Sequence, residues 1–286
     1  MHSHSAAARR GFHGKSGRWG GRLTRKALPE PALELDGQAT TCVVEAWLQR
    51  SASERRVGEA FAVIAHELGR LRAPAPLQAL AARAIDDELR HAELCRRVGS
   101  IYAGRELDAP APLPLTLPRH AEASHDLRPS LFVIGQSCFN ETFASVVLET
   151  ALARARDPLA VAALRELLSD EIDHARIGWW YLGTMSVAAR GALAPWLLHL
   201  AQTNAAMWLA SDRRTGPDEL TSHGVLTPTL VRESVTRALT DLIVPGFAAA
   251  GLAPPELRAW TPSEPSPTSA SPGCGEAAAM EPTMDG

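Results

Sequence analysis

A short motif that contains a carboxylate and an imidazole occurs twice in the chain, 83 residues apart. The first copy, DELRHA, spans residues 87–92, and the second, DEIDHA, spans residues 170–175. In each copy a Glu precedes a His by three residues, so on an α-helix both side chains lie on one face, about one turn apart. Each pair can therefore bind one metal ion, and two such helices packed together could hold two. The pairs are Glu88 with His91 and Glu171 with His174.

The rest of the chain has the pattern of a helical protein. Apolar residues recur at spacings of three and four, and no strand-length alternation is sustained. The sequence therefore predicts an all-α fold. Asp157 and Thr227, each followed by proline, are typical helix N-caps, and the proline-rich segment 104–129 predicts an extended crossover between two helix pairs. We expect helices at about 51–72, 77–98, 131–156, from 158 past 182, 194–209 and 228–242.

The ends of the chain differ in composition from the middle. Residues 1–40 are rich in Gly, Arg, Ser and His, and residues 256–286 are rich in Pro, Ser and Gly. Neither segment has apolar periodicity, so each predicts a disordered tail, the first of them basic. Residues 41–255 predict one helical domain, with a bundle core at 51–190 and accessory helices at 194–245.

Two further glutamates lie in phase with the motif helices. A two-metal carboxylate site in a bundle takes one Glu from each of the two helices that lack the Glu-x-x-His motif. On the third helix, Glu141 lies at the centre of the apolar face, whereas Glu149 is about 80° away. On the first helix, Glu54 lies about 40° from that centre and Glu59 about 180°. The alternative role for Glu54 is a capping box with Ser51, since Ser-x-x-Glu opens many helices.

The glutamates and histidines could bind metal, or they could be buried polar residues that hydrogen-bond to one another. Charge balance favours metal binding. Four carboxylates pressed into one core would repel one another and lose much of their hydration. Two divalent cations would cancel all four charges. A third Glu-x-x-His match, Glu122 with His125, lies in the crossover without an apolar face to direct it inward. We therefore do not include it in the site.

Polar residues beside the motif predict supporting roles. Asp87 and Asp170 each precede a motif Glu, and each could accept the free ring N–H of the histidine in the opposite copy. The alternative is a solvated surface carboxylate. Ser145 lies one turn beyond Glu141 on the same face, where its hydroxyl is a candidate proton relay; the alternative is a small residue that only makes room.

Composition excludes several classes of protein. The net charge of -3 argues against a basic nucleic-acid-binding face. The four cysteines show no Cys-x-x-Cys spacing, so neither a zinc ribbon nor a disulfide scaffold is indicated. No apolar run reaches the roughly 18 residues that a membrane helix needs. A protein that binds neither nucleic acid nor membrane, in a reducing cytoplasm, is expected.

At these residues the chain resembles the ferritin-like superfamily of di-iron carboxylate proteins. The pattern of that family is Glu, then Glu-x-x-His, then Glu, then Glu-x-x-His. The match covers residues 54–182, about half of the chain. Residues 53–91 and 140–142 are also similar to poorly characterised bacterial ferritin-like proteins. All six family positions are occupied here, by Glu54, Glu88, His91, Glu141, Glu171 and His174.

The resemblance implies both a fold and a function. The fold is a four-helix bundle of two antiparallel helix pairs joined by a long crossover, with C-terminal accessory helices. The cofactor is a pair of iron ions, with manganese as the alternative, since carboxylate and imidazole ligands suit both.

The implied function is an oxidoreductase that activates O₂ and acts on an unknown small-molecule substrate. Electrons would come from an external donor, because no flavin or nicotinamide motif is visible, and a homodimer is a candidate assembly. The alternative is a non-catalytic protein that handles metal or has a structural role; an apolar pocket beside the metals would favour the enzyme.

Overall fold

The computed structural model describes residues 27–210 and 216–262, and this part of the chain is helical and contains no β-strand. The predicted all-α class is confirmed. Of the predicted tails at 1–40 and 256–286, residues 1–26 and 263–286 lie outside the described residues. The helices are α1 (Gly37–Arg70), α2 (Ala75–Tyr102), α3 (Arg128–Ile134), α4 (Glu141–Arg154), α5 (Pro158–Thr184), α6 (Val187–Leu193), α7 (Leu197–Leu209), α8 (Pro228–Ala238), α9 (Val244–Ala249) and α10 (Pro255–Ala259).

Two helix hairpins form the centre of the molecule. α1 and α2 are joined by residues 71–74 and pack along one another, and α4 and α5 are joined by residues 155–157 and do the same. Residues 103–127, where the crossover was predicted, are not helical. α2 also packs directly against α5, and this contact brings the two motif helices side by side.

Helix α1 begins fourteen residues before the predicted start. Asp36 caps it by accepting a hydrogen bond from the backbone N–H of Ala39. Residues 37–40, expected in the tail, therefore form its first turn. The added length buries Trp47 in the core. Ser51 consequently lies in the middle of a helix, where its hydroxyl donates to the carbonyl of Ala92 at 2.7 Å. The capping-box alternative for Glu54 is thus wrong.

The third predicted helix is continuous but not uniform. Between α3 and α4, residues 135–140 form a π-helical turn, in which the backbone hydrogen bonds span five residues instead of four. Gly178 of α5 packs against this turn so closely that an added Cβ would lie 2.7 Å from the Cys138 sulfur. The absence of a side chain at Gly178 lets α5 approach the wide turn.

The helical stretch Arg128–Arg154 is long and apolar enough to cross a membrane by length and composition alone, with mean hydropathy 1.3 in its most apolar window. This contradicts the expectation from sequence that no segment meets that requirement. Because 72% of the window is buried inside the protein, most of these apolar side chains already have protein partners. A buried core helix has the same composition.

The C-terminal helices pack on the outside of the α3–α4 stretch. α8 contacts α4, and α7 contacts the π-helical turn. The predicted cap of α8 is confirmed, since Thr227 accepts a hydrogen bond from the N–H of Leu230, and so is the cap of α5, where Asp157 accepts from Leu159. The second predicted tail is corrected at its start, because residues 256–259 belong to α10 and Leu257 is buried.

Candidate metal centre

The two copies of the repeated motif meet at the contact between α2 and α5. Glu88 and His91 have no exposed surface, and Glu171 and His174 are at most 2% exposed. The two imidazole rings lie with their centroids 5.9 Å apart. Each helix presents these side chains on the face that packs against the core, as the three-residue spacing predicts. Four residues that bind metals in many proteins are thereby enclosed together.

The structure places all six predicted ligand residues in one cluster. They form two groups of four, and within each group one ligand atom per residue lies within 4.8 Å of all the others. Both groups contain Glu88 and Glu171, so the two candidate metal positions are adjacent and share two carboxylates. The first group is completed by Glu54 and His91, and the second by Glu141 and His174.

Several atoms of the cluster lack the hydrogen bonds that buried polar atoms normally make. Both carboxylate oxygens of Glu88, Oε2 of Glu171 and Nδ1 of each histidine have no such partner among the described residues. Nδ1 of His174 lies 3.0 Å from Oε1 of Glu88, yet the angles do not suit a hydrogen bond. Unpaired buried groups of this kind are costly in a native protein. A cation between them would satisfy carboxylate and imidazole lone pairs at once, so the donor set fits a metal.

The opposite nitrogen of each histidine faces an aspartate from the other motif. Nε2 of His91 lies 3.1 Å from Oδ2 of Asp170, and Nε2 of His174 lies 3.6 Å from Oδ2 of Asp87. The first contact is the cross-helix hydrogen bond expected from the sequence, whereas the second is longer than a hydrogen bond, and Nε2 of His174 has no hydrogen-bond partner among the described residues. Both contacts leave Nδ1 of each ring on the cluster side, which is the arrangement that orients histidine ligands in metal sites.

Arg90 was not predicted to take part. Its guanidinium donates to Asp87 at 2.7 Å and also forms a short ion pair with Asp170, so it joins the two carboxylates. The only sequence feature that could have indicated Arg90 is its position between Glu88 and His91 in the first motif. The second motif does not repeat this feature, because Asp173 occupies the equivalent position. Burial raises the pKa of Asp87, but the nearby His174 ring and the hydrogen bond from Arg90 outweigh this effect and hold the pKa of the carboxyl well below its ordinary value.

The electrostatics of the cluster without cations show how strongly it needs positive charge. Burial, followed by the charges of Glu88 and Glu171, raises the pKa of Glu54 to about 8. Burial and the same two neighbours raise the pKa of Glu141 well above its ordinary value. Burial lowers the pKa of His91, but its carboxylate partners outweigh burial and raise it overall. Glu54, Glu141 and His91 thus hold their protons more tightly than usual when no metal is bound, and divalent cations would compete with these protons.

The amides of the π-helical turn hold Glu141 in place. Gln136 donates from Nε2 to Oε1 of Glu141 at 2.6 Å, and Asn140 makes a longer contact of 3.5 Å to the same oxygen. Asn140 is itself held by the indole N–H of Trp208, which donates to its Oδ1 at 2.8 Å. Sequence periodicity did not reveal Gln136, because the wide turn changes the phase of the helix.

Two other candidates have different surroundings. The hydroxyl of Ser145 donates to the backbone carbonyl of Glu141 at 2.9 Å, a bond within its own helix, so a role as proton relay stays a prediction. The third Glu-x-x-His match lies at the surface, where 80% of the His125 side chain is exposed. His125 is not part of the cluster.

A cavity of about 70 Å³ opens onto the carboxylates. Glu54, Glu141 and Glu171 line one side of it. Apolar side chains from four helices line much of the rest, among them Val57, Val147, Met207 and Val231. The space is sufficient for a few water molecules or a small organic group beside the cluster. A cavity of this composition suits an apolar substrate portion.

Comparison with known proteins adds no assignment. No family model, no curated protein and no solved structure matches the chain. The geometry of the cluster and its cavities is therefore the basis for assigning a function.

Proposed function

We propose that the chain is a ferritin-like di-metal carboxylate protein that binds two iron ions, with manganese as the alternative metal. The observation that carries the proposal is the pair of four-residue groups with Glu88 and Glu171 in common. Those two glutamates would contact both metals. Glu54 and His91 would complete one position, and Glu141 and His174 the other. The unpaired ring nitrogens and carboxylate oxygens support this assignment over a hydrogen-bonded core.

The four-helix arrangement that we propose consists of α1, α2, the α3–α4 stretch and α5. Each contributes a ligand at mid-length, where the helices are most enclosed. The contacts of α1 with α2, α4 with α5 and α2 with α5 support it. Ligands from four helices converging in a bundle core are typical of di-iron carboxylate proteins.

The proposed activity is the O₂-dependent oxidation of a small organic substrate, with electrons from an external donor. Two ferrous ions, when bound, supply the electrons and the open coordination positions that O₂ reduction requires. The residues of this chain bind and orient the ions, and Asp87 and Asp170 fix the histidine rings. Val57, Val147 and other apolar residues limit water beside the carboxylates. The cavity favours an enzyme over a metal-handling protein, because storage alone needs no apolar chamber.

The test begins with the metal content of the full-length protein expressed in iron-rich medium. We expect about two metal ions per chain, a number set by the two candidate positions. Mixing the ferrous protein with O₂ should then change its near-ultraviolet and visible absorption. The matched control is a variant with Glu88 and Glu171 both changed to Gln, which should bind no iron and give no change. Fewer than one metal ion per chain in the unmodified protein would refute the proposal.

A further inference from the structure

A second cavity, of about 170 Å³, lies next to the cavity above the carboxylate cluster. Arg56, Val57, Asn140 and Met207 belong to the walls of both, so the two spaces meet at these residues. The polar part of the second wall consists of one guanidinium, one imidazole, amides and hydroxyls. Among the described residues that line it, none is Asp or Glu. The two cavities therefore differ in charge: Arg56 lines both, but carboxylates line only the first.

The cation at the junction is Arg56, and no described carboxylate pairs with it. Within residues 27–210 and 216–262 its guanidinium forms no ion pair, and its hydrogen bond to the Ser53 hydroxyl is long, at 3.5 Å. The other arginine of the first cavity, Arg50, is engaged differently. It lies 4.6 Å from the ring centre of Trp47, and its charge lowers the pKa of Glu54. Of the described arginines that line the two cavities, Arg56 is thus the one available to a ligand.

His120 is the second unusual group in this cavity. It is only 7% exposed, and neither ring nitrogen has a hydrogen-bond partner among the described residues. Its backbone has a φ of 40°, in the left-handed region that side chains other than Asn, Asp and His seldom adopt. The ring packs edge-on against Trp196, with centroids 5.8 Å apart. A buried, unpaired imidazole that lines a cavity is typical of a ligand-binding position.

We propose that the two cavities form one binding site for a small organic acid. Its carboxylate lies in the second cavity, where Arg56 forms an ion pair with it and an N–H of His120 donates a hydrogen bond. Its apolar part passes Val57 and Met207 into the first cavity and lies beside the carboxylate cluster. This inference rests on the proposed function, because two divalent cations would balance the four glutamates and leave Arg56 without an internal counter-charge. A guanidinium with a second donor is a common way to bind a carboxylate.

Three probes of equal chain length separate the charge of the ligand from its apolar part: hexanoate, 1-hexanol and hexylamine. Full-length protein loaded with Mn²⁺ is titrated with each by calorimetry, and its manganese content is measured on the same sample. We expect hexanoate to bind at least about tenfold more tightly than 1-hexanol, the usual size of a charge-assisted hydrogen bond. Hexylamine should bind more weakly than either. A parallel titration of the metal-free protein reports binding that does not depend on the metals.

Four variants locate the carboxylate. Arg56→Gln should weaken hexanoate binding about tenfold or more and leave 1-hexanol binding unchanged, which shows that the cavity is intact. His120→Phe, which keeps a planar ring but removes the N–H, should weaken hexanoate severalfold. Arg165→Gln, at an exposed arginine outside both cavities, should have no effect. Arg50→Gln tests the rival position in the first cavity.

The inference is overturned if hexanoate and 1-hexanol bind equally well, or if Arg56→Gln changes neither affinity. It is also overturned if Arg50→Gln alone weakens hexanoate, or if hexanoate binds only to the metal-loaded protein and ignores Arg56, as a direct metal ligand would. If the protein holds no manganese or iron, the proposed function fails. The Arg56→Gln comparison in metal-free protein still decides whether an organic acid binds here.

Discussion

Nε2 of His91 lies 3.1 Å from Oδ2 of Asp170, and this contact joins the two helices that carry the repeated motif. The carboxylate fixes the orientation of the ring and keeps Nδ1 on the cluster side. Asp87 lies on the corresponding side of His174, but at 3.6 Å this contact is longer than a hydrogen bond. The orientation of His91 therefore depends on a residue of the opposite helix.

Removal of Asp170 should weaken metal binding without removing a ligand. We expect Asp170→Ala to reduce the affinity for Fe²⁺ or Mn²⁺ by about 10- to 100-fold, the usual effect of losing a carboxylate behind a histidine ligand. Competition with a fluorescent chelator measures this. Asp173→Ala is the control, because Asp173 pairs with Arg83 and Arg176 near the surface. Equal affinities in the two variants would mean that Asp170 does not support the site.

A glutamate that belongs to both groups of ligands should be needed for both metal ions, and a glutamate that belongs to one group should be needed for one. Glu88 belongs to both groups of ligands, whereas Glu54 and Glu141 each belong to one. We expect Glu88→Gln to bind less than one metal ion per chain, and Glu54→Gln and Glu141→Gln to bind about one each. Elemental analysis after dialysis gives the counts. Glu59→Gln, at an exposed position on the same helix as Glu54, should keep the full content, and a loss there would show that our helix phase is wrong.

The metal-free protein should become less stable as the pH rises from about 5 to about 8. Burial and neighbouring carboxylates raise the pKa of Glu54 from 4.5 to about 8, so the folded state holds this proton more tightly than the unfolded state does. Its stabilising effect is complete below pH 4.5 and is lost as the pH approaches 8. His91, whose pKa is also raised, acts in the same direction.

Scanning calorimetry of chelator-treated protein measures this dependence. In Glu54→Gln the fall in Tm between pH 5 and pH 8 should be smaller, although His91 keeps part of it. Glu59→Gln again serves as the control and should behave like the unmodified protein. An unchanged pH dependence in Glu54→Gln would contradict the assignment of Glu54 to the cluster.

Two glycines of α5 should respond in opposite ways to substitution by alanine. A Cβ at Gly178 would lie 2.7 Å from the Cys138 sulfur and 2.8 Å from the Cys138 backbone nitrogen, so Gly178→Ala should lower the free energy of unfolding by about 1–3 kcal/mol. A Cβ at Gly183 would meet nothing within 4 Å, and Gly183→Ala should be neutral or stabilising by up to about 1 kcal/mol. Urea denaturation measures both. Similar stabilities for the two variants would argue against close packing at the wide turn.

Helical periodicity was sufficient to identify which side chains meet in the cluster. Glu54 and Glu141 were selected by their angle on the apolar face, and the structure brings both to the repeated motif. Such a prediction works because an in-phase, enclosed carboxylate has few other uses in a bundle. Helix phase also distinguishes Glu54 from the exposed Glu59.

Helical periodicity could not predict features that depend on contacts between residues far apart in the sequence. Ser51 fits a helix start by its local sequence, yet its hydroxyl bonds to the carbonyl of Ala92 on another helix. Arg90 and Gln136 act through residues on other helices or through a change of helix type, and neither is encoded by a regular spacing. The two cavities are likewise formed where several helices and the crossover meet.

The wide turn at Gly135–Asn140 contains one residue more than a regular helical turn would. This extra residue sets how α3 is rotated relative to Glu141. A chain one residue shorter in this turn would form a regular α-helix there. Every residue before the deletion would then rotate by about 100° and shift by about 1.5 Å relative to Glu141. Gln136 would turn away from the carboxylate that it now holds, and the face of α3 would change register against its neighbours. The hydrogen bond from Gln136 to Glu141 thus depends on the presence of one inserted residue and not on the identity of that residue. A point substitution in a regular helix could not produce the same geometry.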